Sequence, residues 1–214
     1  MNFLEMQQDV LARLDEKENT ELQASVKTWL NQAYQDVCNR YNWPFLEAQF
    51  TLSTVDGTES YGLTGTNVKK IYDVIYTDSG GDKHRLQPMT LDVFKKLYTG
   101  ETQTSSGTPD YYYIWNDNIY LYPIPDYSGT DNLLINYYTY PNYMTNDTDE
   151  PLIPLPYHEV LVLGACVRAR QYNDESTPEA ELIRREYEEK ILHMINDLSN
   201  QEGTEANYNI DFQS

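Results

Sequence analysis

LQASVKTWLNQAYQDVCNRYNWPFLEAQFTLSTVDG, residues 22–57, changes its period halfway along. In its first half Leu22, Val26, Trp29, Leu30, Ala33, Val37 and Tyr41 recur every three to four positions, which predicts one apolar face of a helix. Trp43-Pro44 ends that helix, because proline pushes the residue before it out of the α region. From Glu47 the period becomes two: Phe50, Leu52 and Thr54 share one face of a strand, and Asp56-Gly57 carries a hairpin-turn signal.

Outward from this junction the chain reads as helix, then strands, then helix. On the N-terminal side Phe3, Met6, Val10, Leu11 and Leu14 predict a first helix, and Thr20 with Gln23 form a capping-box pattern for the second. On the other side Tyr61–Leu63 reads as a return strand. Lys69–Thr77 and His84–Leu86 flank a Ser79-Gly80-Gly81-Asp82 turn, and Thr90 caps a short helix over 91–98. Tyr111–Trp115 and Ile119–Tyr122 make the clearest hairpin, and Leu133–Tyr140 a further strand. Pro151, Pro154 and Pro156 lead into a third main helix that carries Gly164, Ala165 and Ala169, small residues that allow close helix contact. Thr177 caps the last helix and Pro178 opens it. Leu182, Ile183, Tyr187, Ile191, Met194, Ile195 and Leu198 form its expected inner face.

The expected fold class is α+β: N- and C-terminal helices packed as a bundle, with an inserted antiparallel β-sandwich or barrel of six to seven strands. The expected domains are 1–46 and 143–198 for the helical part, 47–142 for the β module and 199–214 for an extended tail. Trp29, Leu30, Val37, Leu161, Ile183 and Ile191 are expected in one helical core.

Composition narrows the function. Fifteen basic and 34 acidic residues give a formal charge of −19, which opposes adhesion to phosphates but suits a wall past which DNA slides. Cys38 and Cys166 fall on predicted helices and read as buried apolar residues, with no metal-ligand spacing. No apolar run is long enough to span a membrane, and the N-terminus lacks the marks of a signal peptide. His84, His158 and His193 share no spacing. Ser79-Gly80-Gly81 lacks phosphate-loop spacing, and no nucleophile sits in an elbow. Asp147, Asp149 and Glu150 lack the remaining ligands of a calcium loop and read as a solvated turn. The expectation is a protein that is not an enzyme and has no cofactor and no metal.

Tyrosine is the outlier, with 20 against 5 phenylalanines. Tyr111, Tyr113 and Trp115 fall on one face of a strand, and Tyr120 and Tyr122 on one face of the next. These five are candidate interface aromatics, since a tyrosine ring buries its carbons while its hydroxyl stays wet. In the C-terminal tail Tyr208, Ile210 and Phe212 alternate, so an extended chain puts all three on one side, as a groove-binding peptide requires.

The order of these signals resembles the head-to-tail adaptor (connector, head-completion) proteins of tailed bacteriophages, podovirus type. The matching pieces begin with Tyr41-Asn42-Trp43-Pro44-Phe45, Phe50, Thr54-Val55-Asp56-Gly57 and Tyr61. Gly107-Thr108-Pro109 with Tyr112, Ile119-Tyr120-Leu121-Tyr122-Pro123-Ile124-Pro125 and Ile135-Asn136-Tyr137 with Pro141 follow. Asp149-Glu150-Pro151-Leu152-Ile153-Pro154 leads last into Tyr157-His158. The resemblance implies a structural virion protein of the neck, assembled in the host cytoplasm. It implies a ring of usually twelve copies under the portal protein, extending the DNA channel and docking the tail or nozzle protein. It also implies a C-terminal segment that reaches the portal, for which the alternating Tyr208, Ile210 and Phe212 are the candidate anchors; the alternative expectation is an unanchored solubilising tail. The rival expectation is a carbohydrate- or receptor-binding β module of a virion protein, which needs exposed coplanar rings beside polar side chains.

Overall fold

Asn2 starts the first helix by a reciprocal cap: its side chain accepts from the Glu5 amide, and its own amide donates to the Glu5 carboxylate, each at 2.9 Å. The computed structural model describes residues 1–16, 19, 22–63, 65, 67–97, 105–172 and 177–201, with 97 and 199–201 by backbone only. Among these are five helices: α1 (Phe3–Arg13), α2 (Leu22–Arg40), α3 (Leu91–Leu97), α4 (His158–Tyr172) and α5 (Pro178–Gln201). The strands are β1 (Glu47–Thr54), β2 (Ser60–Gly62), β3 (Val68–Thr77), β4 (Lys83–Arg85), β5 (Gln87–Pro88), β6 (Ser106–Gly107), β7 (Tyr111–Trp115), β8 (Asn118–Tyr122), β9 (Ile124–Pro125) and β10 (Gly129–Thr139). The class is α+β with antiparallel sheets and no closed barrel. The chain divides into two compact units: Met1–Leu46 with everything from Tyr140 on, and Glu47–Thr139.

In the helical unit α4 is the centre. Val160 to Cys166 and Ala169 are all buried, as a helix apolar on every side must be. It packs against α1, α2 and α5. Gly164 permits the closest approach: a Cβ there would lie 2.8 Å from the Ala33 methyl and 2.8 Å from the Tyr187 ring. Trp29, Leu30, Val37, Leu161 and Ile191 are buried in this unit, while Ile183 is half-buried. Leu182 departs from the expectation and is exposed. The buried stripe of α5 runs through Tyr187, Ile191, Met194 and Leu198. Five residues before Tyr187 is the far side of a 100°-per-residue helix. Helix α2 stops at Arg40, and the buried Trp43 indole N–H donates to the Val37 carbonyl at 2.7 Å. The Thr20 cap lies outside the described residues; Asn19 accepts from the Leu22 amide.

Two four-stranded sheets build the other unit, in the orders β1-β10-β3-β4 and β2-β8-β7-β5. The long pairings are antiparallel, and two-residue parallel contacts join β5 to β7 and β6 to β9. Val74, Tyr76, Leu133 and Ile135 of the first sheet share one core with Tyr112, Ile119 and Leu121 of the second. Asp56-Gly57 does turn the chain, with Gly57 at φ +74°, but it makes no hairpin. β1 pairs with β10 and β2 with β8, so the turn carries the chain from one sheet to the other. The Gly57 amide donates to the Pro125 carbonyl, and the Asp56 amide to the Ser128 hydroxyl, at 2.9 Å each. The turn residues encode a reversal; the strand that follows pairs where its side chains find the core.

Candidate functional site

Asn116 and Asp117 both adopt positive φ, 48° and 55°, in a two-residue turn between β7 and β8. Turns of this kind match the twist of paired strands and favour Asn and Asp. The turn sets Trp115 opposite Asn118, and therefore Tyr113 opposite Tyr120 and Tyr111 opposite Tyr122. All five candidate interface aromatics thus stand on one face of the hairpin, while Tyr112, Ile119 and Leu121 turn into the core.

That face is only partly open. The Tyr113 and Tyr120 rings stack at 4.7 Å and 10°. Phe94 of α3 sits 4.7 Å from Tyr113 and 6.4 Å from Tyr122. Tyr113 is buried by these neighbours, whereas Tyr111 keeps 40% and Trp115 54% of its surface exposed. Burial, with a contribution from the Glu59 carboxylate, pushes the Tyr113 phenol up to about 12, so it stays protonated. The open part of the face is therefore two rings at the margins of a supported aromatic cluster, with Val93 of α3 also exposed. The sequence reading missed Phe94. Its spacing with Leu91 marks the inner face of α3, but nothing local says that this face covers a tyrosine ladder.

The other residues singled out in the sequence are dispersed. His84 binds the Asp78 carboxylate at 2.8 Å, and His193 pairs with Asp197 at 3.1 Å. His158 is buried against the Ile153 carbonyl at 2.8 Å, and burial lowers its basicity. Asp78 closes the Ser79–Asp82 turn by accepting from the Gly80 and Asp82 amides. Asp149 accepts from the Thr145 and Asn146 amides, so its carboxylate serves its own loop, and these bonds hold it below the usual carboxylate range. No cluster of three metal-ligating side chains occurs among the described residues, and no described helix is long and apolar enough to cross a membrane. Tyr208, Ile210 and Phe212 lie outside the described residues.

What the geometry shows is an aromatic cluster backed by Phe94 of α3, with Tyr111 and Trp115 open at its margins. A search among curated proteins found no match. The family model for the SU10 adaptor protein matches residues 1–210. Because that match runs through the helical unit, the whole sheet unit and the return to helix, the chain belongs to the SU10 adaptor protein family, a family of structural phage adaptors.

Proposed function

We propose that this chain is the head-to-tail adaptor of a phage neck: copies close into a ring beneath the portal, usually twelve in such necks, continue the DNA channel and present a platform to the tail or nozzle protein. The observation that carries the reading is the family membership over residues 1–210. The charge of −19 supports it, since an acidic wall lets DNA pass without holding it. A closed ring satisfies every subunit's complementary sides without leaving an end. Tyr111 and Trp115 are the candidate platform contacts, because tyrosine and tryptophan bury large area at low entropic cost. Tyr113, Tyr120 and Tyr122 hold those two in place.

The rival sugar-binding reading draws less support. Trp115 is tilted 48° from Tyr120 and Tyr111 35° from Tyr122, so neither exposed ring is coplanar with the ring beside it, as adjacent rings of a sugar platform would be. The test is to mix the purified chain with portal rings and image the product. The expected result is a second coaxial ring on the portal face away from the capsid. Chains that stay unattached at concentrations well above those of assembly would overturn the reading.

A further inference from the structure

The two edges of the first sheet are built differently. β4 closes one edge with only three residues, Lys83, His84 and Arg85, two of them permanent cations. Short, charged edges of this kind discourage further strand pairing. β1 closes the other with eight residues, EAQFTLST, whose one charge is Glu47 at the start and which contain no lysine and no proline. Its backbone pairs with β10 on one side only; on the outer side no described residue supplies a backbone partner. Glu47, Gln49, Thr51 and Ser53 are exposed. On the other face Phe50 and Leu52 border the core but are only partly buried. An edge that is long, free of charge after its first residue and apolar on one face is a template for an added strand.

The chain itself carries a segment that fits. Beyond Gln201 lie thirteen residues, EGTEANYNIDFQS. Fully extended they reach about 45 Å. Residues 206–212 alternate strictly: Tyr208, Ile210 and Phe212 on one side, Asn207, Asn209 and Asp211 on the other. Laid along β1, the first set extends the row of Phe50 and Leu52, and the second extends the row of Gln49, Thr51 and Ser53. Tyr, Ile and Phe are also strong strand formers.

We propose that residues 206–212 of one copy add as a strand to the outer edge of β1 in the neighbouring copy, tying the ring together from subunit to subunit. This rests on the ring reading above. It gives to a neighbouring copy the anchor that the sequence reading gave to the portal.

The test is amide hydrogen exchange over residues 47–54, in the monomer fraction and in rings assembled on portals. It uses the full chain and a variant carrying Tyr208→Ser, Ile210→Ser and Phe212→Ser. The expected result is exchange slowed about tenfold or more in the assembled full chain, with the variant still attaching to portals but exchanging there at the monomer rate. Four outcomes would overturn the proposal while leaving the ring intact: slowed exchange already in the monomer, unchanged exchange in the ring, slowed exchange in the variant's ring, or failure of the variant alone to attach. Failure of the full chain to assemble on portals would overturn the ring reading and this inference with it.

Discussion

Around its apolar core the helical unit links helices through shared carboxylates, whereas around its own core the sheet unit covers the β7–β8 hairpin with stacked rings. In the first, Asp36 of α2 accepts from the Tyr187 hydroxyl of α5 at 2.8 Å and from Arg40 at 3.0 Å, and lies 3.3 Å from Arg168 of α4. Arg40 also binds Glu188 of α5. Glu159 of α4 takes Arg13 of α1 at 2.9 Å and Lys190 of α5 at 2.6 Å. Each carboxylate therefore links three helices. In the second unit the Phe94–Tyr113–Tyr120 stack plays the corresponding part. Charge pairs fix direction and register but answer to pH; stacked rings answer to shape.

The strongest break in this comparison is Leu161→Asp. Leu161 is fully buried on the central helix. An unpaired carboxylate there is expected to cost more than about 4 kcal/mol and to unfold the helical unit. Hydrogen exchange should show α4 and α5 amides losing protection while β7 and β8 keep theirs. Native melting of this variant would refute the packing scheme.

Phe94→Ala strips the lid from the tyrosine ladder. A loss of about 2–4 kcal/mol is expected in the sheet unit, read as earlier loss of protection in β7 and β8, with the helices unaffected. Gly164→Ala is smaller in atoms but meets the Ala33 methyl and the Tyr187 ring at 2.8 Å. Overpacking of this size costs about 1–3 kcal/mol, so a melting temperature lower by several degrees is expected. An unchanged melting temperature would show that the helices can part freely.

Acid sharpens the contrast. Burial by itself would raise the Asp36 carboxyl, but the Arg40 and Tyr187 hydrogen bonds and the Arg40 and Arg168 charges hold it below its ordinary value. Lys190 and Arg13 lower Glu159 likewise. For a carboxylate depressed in the folded state, stability is full above the ordinary carboxylate range and is lost as pH falls through the lowered folded values. Both groups are substantially exposed, so screening keeps each contribution modest. Between about pH 5 and pH 2 the helical unit should loosen before the sheet unit, visible as red-shifted emission from the buried Trp43. The smallest effect on stability belongs to Trp115→Ser, expected within about 0.5 kcal/mol because the ring is more than half exposed. The same variant should weaken capture of the tail or nozzle protein by assembled rings. Full capture would remove Trp115 from the platform.

Local signals set much of what was legible. The change of period at Glu47, where β1 begins, the Asn116-Asp117 turn, the Thr90 and Thr177 caps and the start of α5 at Pro178 are each encoded within a few residues. So is the alternation that sorts Tyr111, Tyr113 and Trp115 from Tyr112, because side-chain direction along a strand follows the backbone itself. What the tertiary structure decided is which element meets which. The Asp56-Gly57 turn gives no clue that β1 seeks β10 some 80 residues later, since that pairing is rewarded only once both sheets close on Leu133 and Ile135. Nor does the Asn116-Asp117 hairpin announce that Phe94 will bury Tyr113 and leave Tyr111 and Trp115 in the open. Turns and periods are properties of neighbouring residues. Pairing partners and exposure are properties of the closed core, and no single segment holds them.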